Sequence, residues 1–503
     1  MKKFKILLPF LLIALCAFYG FCYYYGFTIT SDNAFFVRAA EQIFHGNPLL
    51  KGWVACFPTA LTTDFLWVAI LRTFLSRQMA SYWMGPIVYT LIVLFCWLIL
   101  KDRISKSSWI IPVGVLGIIT LVPAALRYAM LSVGVHSISV LYILILIKLL
   151  DILDKNDISI KWAIIYTLFL AFASPNDEWP VYFFAAPLLL VLFIEMLISF
   201  SKKHGILFVL TLIGIVGEKL IRHLVIAMGG IKTVPFDAAF ISLKDFPEYL
   251  NTTLITILQI FNADISNQEL FSVKTVLAAG GIFLLIEIII AYVHTFKYWK
   301  SEDLIVKTMI AGSIFCLGSY IFARVYKDPY TIVDFYISPF FFLSMLLLGR
   351  WKPQITHNKL KMELVLLCPM LIMMAGNIPT NIYRKPISDP NYREISNYLE
   401  EQGVTRVYAD FWNTHSLWYY SDGKIQTASI RADHNQIEPY IWLTNMTWYE
   451  PAYFTNCIVI SPNAYGLTKE YVENYFGQPE TYHVIGDTEI FIYPESISSK
   501  IAR

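Results

Sequence analysis

The chain alternates long apolar runs with short polar connections over most of its length. A helix that crosses a bilayer needs about 20 mostly apolar residues. Hydrophobic residues make up 57% of the sequence and charged residues only 15%, whereas soluble domains carry roughly 25% charged residues. The pattern therefore predicts an α-helical polytopic membrane protein with eleven spans, near residues 4–27, 80–100, 108–126, 132–150, 161–174, 179–200, 205–227, 273–296, 304–324, 331–349 and 361–378.

The direction of the spans is predicted from the basic residues of the connections. If the N-terminus is cytoplasmic, the inner connections carry eighteen Lys and Arg residues and the outer connections about half as many, as the positive-inside rule requires. The first run, 4–27, is too long for a cleaved signal peptide and is expected to remain as a span. Segment 57–75 carries Asp64 and Arg72, which are costly inside a bilayer, so it is predicted to be an interfacial helix outside.

The first outer connection, residues 28–79, also contains a predicted amphipathic helix at the membrane surface. Its apolar positions recur at helical spacing, with Arg38 and Glu41 on the other side, and Gly46 is a natural stop. Asp32 falls in its first turn, where the carboxylate is either a plain helix cap or a group with a chemical role. The helix is expected to start among four residues that favour helix N-termini: Thr30, Ser31, Asp32 and Asn33.

This layout resembles a known group of enzymes. A span with a basic N-terminus leads to an outer loop in which an acidic residue precedes an Ala-rich helix, and that helix ends in Gly46-Asn47-Pro48 before a second surface helix. The arrangement resembles the GT-C superfamily of membrane glycosyltransferases, which includes protein O-mannosyltransferases and lipid A aminoarabinose transferases. The resemblance implies a polyprenyl-phosphate-linked sugar donor, and it implies that Asp32 acts as the base or positions the acceptor.

A second pair of carboxylates stands in a short predicted outer loop, Ser174-Pro175-Asn176-Asp177-Glu178-Trp179-Pro180. Two carboxylates this close raise the pKa of one of them, which suits proton transfer. They are also suitable ligands for a divalent cation on a phosphate. The alternative is a solvated turn, since Pro, Asn and Asp favour turns.

Basic residues at the predicted outer rim lie on the side where the positive-inside rule does not call for them. Arg binds phosphate oxygens in a two-pronged fork and Lys binds them as a point charge. The Arg-x-Tyr before the penultimate pair of spans resembles a recurring GT-C feature that contacts the lipid phosphate, and the resemblance implies this role for Arg324 with Tyr326. The alternatives are snorkelling or pairing, with Asp328 for Arg324 and with Glu218 for Arg222. The candidates for donor phosphate binding are Arg127, Arg222, His223, Arg324, Tyr326 and Lys327.

The composition becomes less apolar after the last span, which predicts two domains: a transmembrane glycosyltransferase-like domain over 1–380 and an extracytoplasmic domain over 381–503. Strands that alternate with helices indicate a small α/β layer in the second. The expected helices and strands are, in order, helix 391–402, strand 404–408, strand 456–461, helix 468–475 and strand 489–493.

Residues 411–454 of this domain are rich in Trp, Tyr, His and Asn. Their aromatic rings either stack on sugar faces, fill the small core or lie on lipid headgroups. His415 and Asp410 belong to no recognisable catalytic triad, because the chain contains no G-x-S-x-G nucleophile motif.

These features predict a glycosyltransferase of the plasma membrane, bacterial by its Lys- and Ile-rich composition. It would transfer sugar from a polyprenyl-phosphate-linked donor to an outer cell-envelope acceptor: a glycan, teichoic acid, lipid or protein. A divalent cation is the one cofactor the acidic residues suggest, and the metal is unknown. The net charge of +2 gives no argument for nucleic acid. The alternatives are a polysaccharide-precursor transporter or flippase, against which the absence of an internal sequence repeat argues, and a non-catalytic glycan-assembly protein.

Overall fold

The structure is a computed structural model that describes residues 2–24, 28–55, 61–104, 109–175, 177–234, 240–266, 269, 271–323, 333–351, 359–378, 390–450 and 452–501. Its α-helices are α1 (Lys2–Tyr24), α2 (Ser31–Phe44), α3 (Leu66–Arg72), α4 (Arg77–Ile104), α5 (Ile110–Thr120), α6 (Arg127–Leu131), α7 (Ser137–Lys155), α8 (Ile160–Ala173), α9 (Ala186–Ile198), α10 (Lys202–Ala227), α11 (Phe246–Ile260), α12 (Val273–Lys297), α13 (Leu304–Phe322), α14 (Ser338–Arg350), α15 (Lys359–Gly376), α16 (Pro390–Glu401), α17 (Phe411–Tyr420) and α18 (Lys469–Phe476). Its strands are β1 (Trp53–Ala55), β2 (Lys232–Thr233), β3 (Arg406–Ala409), β4 (Gln426–Asp433), β5 (Gln436–Pro439), β6 (Thr444–Asn445), β7 (Cys457–Ile460), β8 (Thr481–Ile485) and β9 (Thr488–Ile492).

The chain divides into two compact units. The helical unit consists of Met1–Tyr23, Gly85–Ile221 and Asp237–Tyr383. The sheet unit consists of Tyr24–Met84, Arg222–Phe236 and Arg384–Arg503. The first outer connection and the C-terminal segment, which are distant in the sequence, therefore form one compact body.

A helix lies in each of the eleven segments predicted as spans. Among the described residues, five helices are long and apolar enough to cross a membrane by themselves, and a pair bent by 46°, Ile110–Thr120 with Ala124–Leu131, gives at most a sixth. The protein is a helical membrane protein, and its exact number of spans stays a prediction. The five are Arg77–Ile104, Val181–Ile198, Lys202–Ala227, Val273–Lys297 and Leu304–Phe322.

Two buried tyrosines hold the end of α5 in the helical unit. The last carbonyls of a helix have no partner within the helix. The Tyr19 hydroxyl of α1 donates to the Thr120 carbonyl over 2.9 Å, and the Tyr89 hydroxyl of α4 donates to the Ile119 carbonyl over 2.6 Å. The two rings meet edge to face at 5.0 Å. These bonds satisfy α5 carbonyls far from water, so α1, α4 and α5 are fixed against one another.

The sheet unit contains a mixed six-stranded sheet in the order β5-β4-β3-β7-β9-β8. Strand β3 is parallel to both of its neighbours, and the other pairs are antiparallel. Side chains alternate between two apolar cores, with Tyr408 and Ile458 in one and Val407 and Val459 in the other. The α/β fold class predicted for this segment is therefore confirmed, with strands β3, β7 and β9 and helices α16 and α18 near their expected positions.

Strands β4, β5 and β8 of this sheet were not predicted, and β4 and β8 each lack a clear apolar signal. In β4 the buried positions include Thr427 and Ser429, which are polar but fully covered. In β8 only Ile485 is buried, because the strand is at the sheet edge. Pairing with β3 and β9 stabilises these two strands, although their own sequences carry no apolar pattern that predicts a strand.

Helix α2 lies deep inside the sheet unit. It contacts α17 and α3, and almost every residue from Ser31 to Glu41 is buried. The prediction that Arg38 and Glu41 lie on the polar side of a surface helix is wrong, because both side chains are buried. Arg38 is covered by the C-terminal segment, where it donates to Thr427. Glu41 accepts hydrogen bonds from Arg72 and Arg77 at 3.1 and 2.8 Å. In the second predicted surface helix, 57–75, residues 57–60 lie outside the described ranges. A π-helical turn over Leu61–Phe65 leads into α3, which ends at Arg72.

Candidate active site

Thr30, and not Asp32, caps helix α2. The Thr30 hydroxyl accepts from the backbone N–H of Asn33, and the Asn33 side chain accepts from the Thr30 N–H at 3.2 Å. This reciprocal pair is a capping box, and it satisfies the helix end on its own. The reading of Asp32 as a plain N-cap is therefore wrong, and its carboxylate is available for another role.

The Asp32 carboxylate makes no hydrogen bond or ion pair with the part of the chain that the structure describes. It is half-buried in the first turn of α2, and burial raises its pKa from 3.8 to about 6. Desolvation has this effect because it penalises the charged form. A carboxylate that titrates near neutrality with nothing bound to it is suited to accept a proton from a substrate hydroxyl.

Aromatic side chains of the C-terminal segment stand next to Asp32. The negative charge of Asp32 acts on Tyr465 and adds to the burial that raises the pKa of that phenol. The Tyr465 ring lies 4.7 Å from the Tyr440 ring and 6.1 Å from that of Phe411. The Ser31 hydroxyl, one residue before Asp32, donates to the Phe411 carbonyl. The first outer connection and the C-terminal segment thus build this environment together.

Asp410 and His415 are structural groups, in agreement with the absence of a triad motif. Asp410 caps α17 and accepts backbone N–H groups from Trp412 at 2.8 Å and Ser461 at 2.7 Å. His415 is fully buried, and its Nε2 lies 2.7 Å from the Leu443 carbonyl. Burial, with the nearby Arg38 charge, lowers the pKa of His415 to about 3, so the ring is neutral at physiological pH.

In the helical unit, Asp177 belongs to a network that sequence reasoning missed. His136 Nδ1 lies 2.7 Å from Asp177 Oδ2, and the Ser139 hydroxyl donates to the same oxygen. The Trp179 ring stacks on the imidazole at 4.3 Å and 9°. The available signal was the polar pair His136 and Ser139 in the first turn of an apolar span. Asp177 therefore orients an imidazole and does not sit in a solvated turn.

Glu178 contacts different partners from its neighbour Asp177. The Tyr182 hydroxyl, one helical turn later, donates to Glu178. Lys219 Nζ lies 3.8 Å from Glu178 Oε1 and 3.6 Å from Glu218 Oε2. The two loop carboxylates thus serve separate networks, an imidazole on one side and an ammonium on the other.

Three of the six predicted phosphate-binding residues lie within the described ranges. Arg127 begins α6 in the helical unit, and its Nη2 donates to the Asn377 carbonyl over 2.9 Å. Arg222 is half-buried and His223 exposed near the end of α10. The remaining three lie outside the described residues: Arg324, Tyr326 and Lys327. Within the described ranges, no three His, Cys, Asp or Glu side chains are grouped to hold a metal ion.

Three solved structures resemble this chain. ArnT from Cupriavidus metallidurans in the apo state matches with a TM-score of 0.58 and 10% identity over 100% of both chains. ArnT from the same organism bound to undecaprenyl phosphate gives 0.54 and 11%, over 98% of this chain and 99% of that one. The Archaeoglobus fulgidus oligosaccharyltransferase in complex with Zn and sulfate gives 0.53 and 9%, over 94% of this chain and 71% of that one.

No protein-family model and no curated protein sequence matches the chain. At 9 to 11% identity the structural similarity shows the fold alone. It does not show the activity, because one fold can host many functions. Both proteins it matches are GT-C enzymes, and the matches extend over at least 94% of this chain. This chain therefore has the fold of the GT-C superfamily of membrane glycosyltransferases.

Proposed function

We propose that the protein transfers a sugar from a polyprenyl-phosphate-linked donor to a cell-envelope acceptor. The fold supports this proposal, as does the binding of undecaprenyl phosphate by one of the matching structures. The single observation that carries it is the Asp32 carboxylate, a titratable group with no partner among the described residues and with its pKa raised to about 6. Perturbed carboxylates of this kind concentrate at catalytic sites.

The proposed reaction is a displacement at the anomeric carbon of the donor sugar. The acceptor hydroxyl attacks that carbon, its proton passes to Asp32, and the bond from carbon to phosphate oxygen breaks. Polyprenyl phosphate leaves with the bonding electron pair. We assign supporting roles to Asp177, which orients His136, and to Glu178. These two carboxylates either assist proton transfer or hold a divalent cation.

The leaving phosphate develops negative charge, which cations positioned in advance stabilise. We assign this role to Arg324 with Tyr326 and Lys327, and to Arg127, Arg222 and His223 as further contacts. Arg is favoured for the primary contact because its planar fork binds two phosphate oxygens at once. These groups act at the depth of the lipid headgroup, since the polyprenyl tail stays in the bilayer.

The proposed topology has a cytoplasmic N-terminus and the C-terminal domain on the outer face of a bacterial plasma membrane. Lys and Arg in the inner connections support this orientation. The sidedness can be tested by labelling single cysteines introduced at Asp32 and Lys327. Labelling of both from the outer side is expected, and labelling from opposite sides would contradict the proposed site.

Turnover of a labelled donor tests the function itself. Full-length protein in lipid nanodiscs is incubated with a polyprenyl-phosphate sugar that carries a radiolabel in the sugar. We expect the label to leave the lipid fraction and appear in a membrane-fraction acceptor, with polyprenyl phosphate as co-product. A donor that only changes leaflet while label and lipid remain joined would instead indicate a flippase, and the proposal would be abandoned.

The pH profile provides a second test. Because Asp32 must be deprotonated to accept a proton, transfer should be low in acid and rise through a pH of about 6, the pKa of this group. The rate above the midpoint should level off as the carboxylate becomes fully ionised. An Asp32→Glu variant should keep an acidic limb of this form, and a wild-type profile that is flat between pH 5 and 7 would contradict the assignment.

A further inference from the structure

The sheet unit contains a cavity of about 610 Å³ at the edge of the six-stranded sheet. It lies beside β5, the outermost strand, and the segment that follows it. Ligand pockets of roughly 300–1,000 Å³ accommodate small molecules or short oligomers. The lining residues used below are Arg431, Glu438, Tyr440, Trp442, Tyr449 and Glu450.

Two of the aromatic side chains in the lining, Tyr440 and Tyr449, are held in place by contacts outside the cavity. The Tyr449 hydroxyl donates to the Ser429 carbonyl over 2.6 Å and lies 3.0 Å from the Thr444 hydroxyl. The Tyr440 ring packs against Tyr465 at 4.7 Å. Rings fixed in this way present flat apolar faces at little cost in conformational entropy. Flat faces of this kind suit the C–H face of a pyranose ring.

The polar lining has hydrogen-bonding capacity left for a ligand. Arg431 is held by Glu438, with Nη2 2.6 Å from one carboxylate oxygen, Oε1. The other Glu438 oxygen and the carboxylate of Glu450 make no hydrogen bond with any residue in the described ranges. The same is true of the indole N–H of Trp442. Acceptors and a donor beside aromatic faces match the hydroxyl-rich edge of a sugar.

The charge of the lining selects among possible acceptors. Among the described lining residues there are two carboxylates, Glu438 and Glu450, and only one cation, Arg431. Asp433, outside the lining, also pairs with Arg431 at 3.1 Å, so the guanidinium is fully compensated. An anionic polymer would meet excess negative charge here, and like charges repel. The cavity therefore favours an uncharged glycan over a polyphosphate or uronate chain.

Aromatic contacts link the cavity to the surroundings of Asp32. Its lining residue Tyr440 contacts Tyr465, and the Asp32 charge acts on the Tyr465 phenol. Tyr465 thus packs against a residue of the cavity lining and also interacts with the charge of the proposed base. A glycan bound along the cavity would lead its terminal sugar toward that carboxylate.

We propose that this cavity is the acceptor subsite and that the acceptor is an uncharged oligosaccharide or polysaccharide. The inference rests on the proposed function for its catalytic meaning, but the binding site itself does not depend on turnover. Tyr440 and Trp442 are the stacking residues, and Glu438 and Glu450 accept hydrogen bonds from sugar hydroxyls.

Binding is tested without donor, on full-length protein in nanodiscs, with cellotetraose, maltotetraose and chitotetraose as uncharged probes and tetragalacturonate as the anionic one. We expect saturable binding of at least one uncharged probe, with tetragalacturonate about tenfold weaker or more. Tyr440→Ala and Trp442→Ala should each weaken the uncharged probe about tenfold. Tyr482→Ala, on the opposite sheet edge β8, is the matched control and should bind as wild type. No binding of any uncharged probe, or preference for tetragalacturonate, would overturn the proposal.

Kinetics separates this inference from the proposed function. If both hold, Trp442→Ala should raise KM for the glycan acceptor about tenfold while slow hydrolysis of the donor by water continues unchanged. An Asp32→Asn variant should bind the glycan normally and transfer sugar about 10²–10⁴ times more slowly. If the wild-type protein binds the glycan but does not turn over the donor, the proposed function is refuted and the proposed glycan-binding site still stands. If the donor is turned over but Tyr440→Ala and Trp442→Ala bind the glycan as wild type does, the proposed glycan-binding site is refuted and the proposed function still stands.

Discussion

Replacement of Asp32 by Asn should lower the rate of sugar transfer by about 10²–10⁴, the usual contribution of a positioned general base. The amide has nearly the same shape as the carboxylate but cannot accept the hydroxyl proton. Because the carboxylate has no hydrogen bond or ion pair among the described residues, and Thr30 caps the helix, the protein should fold and bind donor as before. The measurement is transfer of radiolabelled sugar at pH 7.5 together with the melting temperature of the purified variant.

Two further variants distinguish a base from a structural carboxylate. Asp487→Asn makes the same chemical change in the exposed turn between β8 and β9 and should leave transfer unchanged. Asp32→Glu keeps the acid and should retain measurable activity, reduced by misplacement of the carboxylate. Transfer by Asp32→Asn at the wild-type rate would remove the proposed mechanism, and a large loss of melting temperature would show that the residue stabilises the fold instead.

Local features of the fold were predictable from the sequence because short-range physics determines them. The caps and apolar spacing around 31–44 predicted α2, and the observed helix begins and ends within two residues of the expected signals. The apolar runs likewise predicted a helix in every proposed span. Hydrophobicity and helix capping are encoded within one or two turns, so the chain's neighbours in space are not needed to recognise them.

The surroundings of the candidate site were not predictable in the same way. Arg38 was predicted on the polar side of a surface helix, yet it is buried and donates to Thr427, 389 residues further along the chain. His136 and Asp177 meet across 41 residues, with an intervening helical hairpin. Tertiary contacts of this kind leave no periodicity in the sequence. The candidate residue Asp32 could be selected from a local motif, but its aromatic neighbours Tyr440 and Tyr465 could not.

The interior of the sheet unit depends on Arg38, a buried cation without an ion pair among the described residues. Its guanidinium carbon lies 3.6 Å from the centre of the Trp448 ring, and its Nη1 donates to the Thr427 carbonyl over 2.9 Å. Nη2 donates to Gln426 over 3.2 Å. Burial lowers the pKa of this group to about 9, which leaves it charged at physiological pH. Cation–π contacts and charge-assisted hydrogen bonds therefore compensate its desolvation.

Arg38→Ala should destabilise the sheet unit by about 3 kcal/mol, because the change leaves a void against Trp448 and a buried carbonyl in β4 without its donor. Amide hydrogen exchange in β4 of the full-length protein should then be faster by a factor of about 10². Arg38→Lys keeps the charge but not the planar fork. Its exchange rate in β4 should lie between those of wild type and Arg38→Ala. Arg393→Ala removes an exposed Arg from α16 and should change exchange little, since surface substitutions usually cost less than about 0.5 kcal/mol. Exchange in β4 that is as slow in Arg38→Ala as in wild type would show that α2 and the C-terminal segment hold together without this cation, and that the packing of α2 against α17 alone joins them.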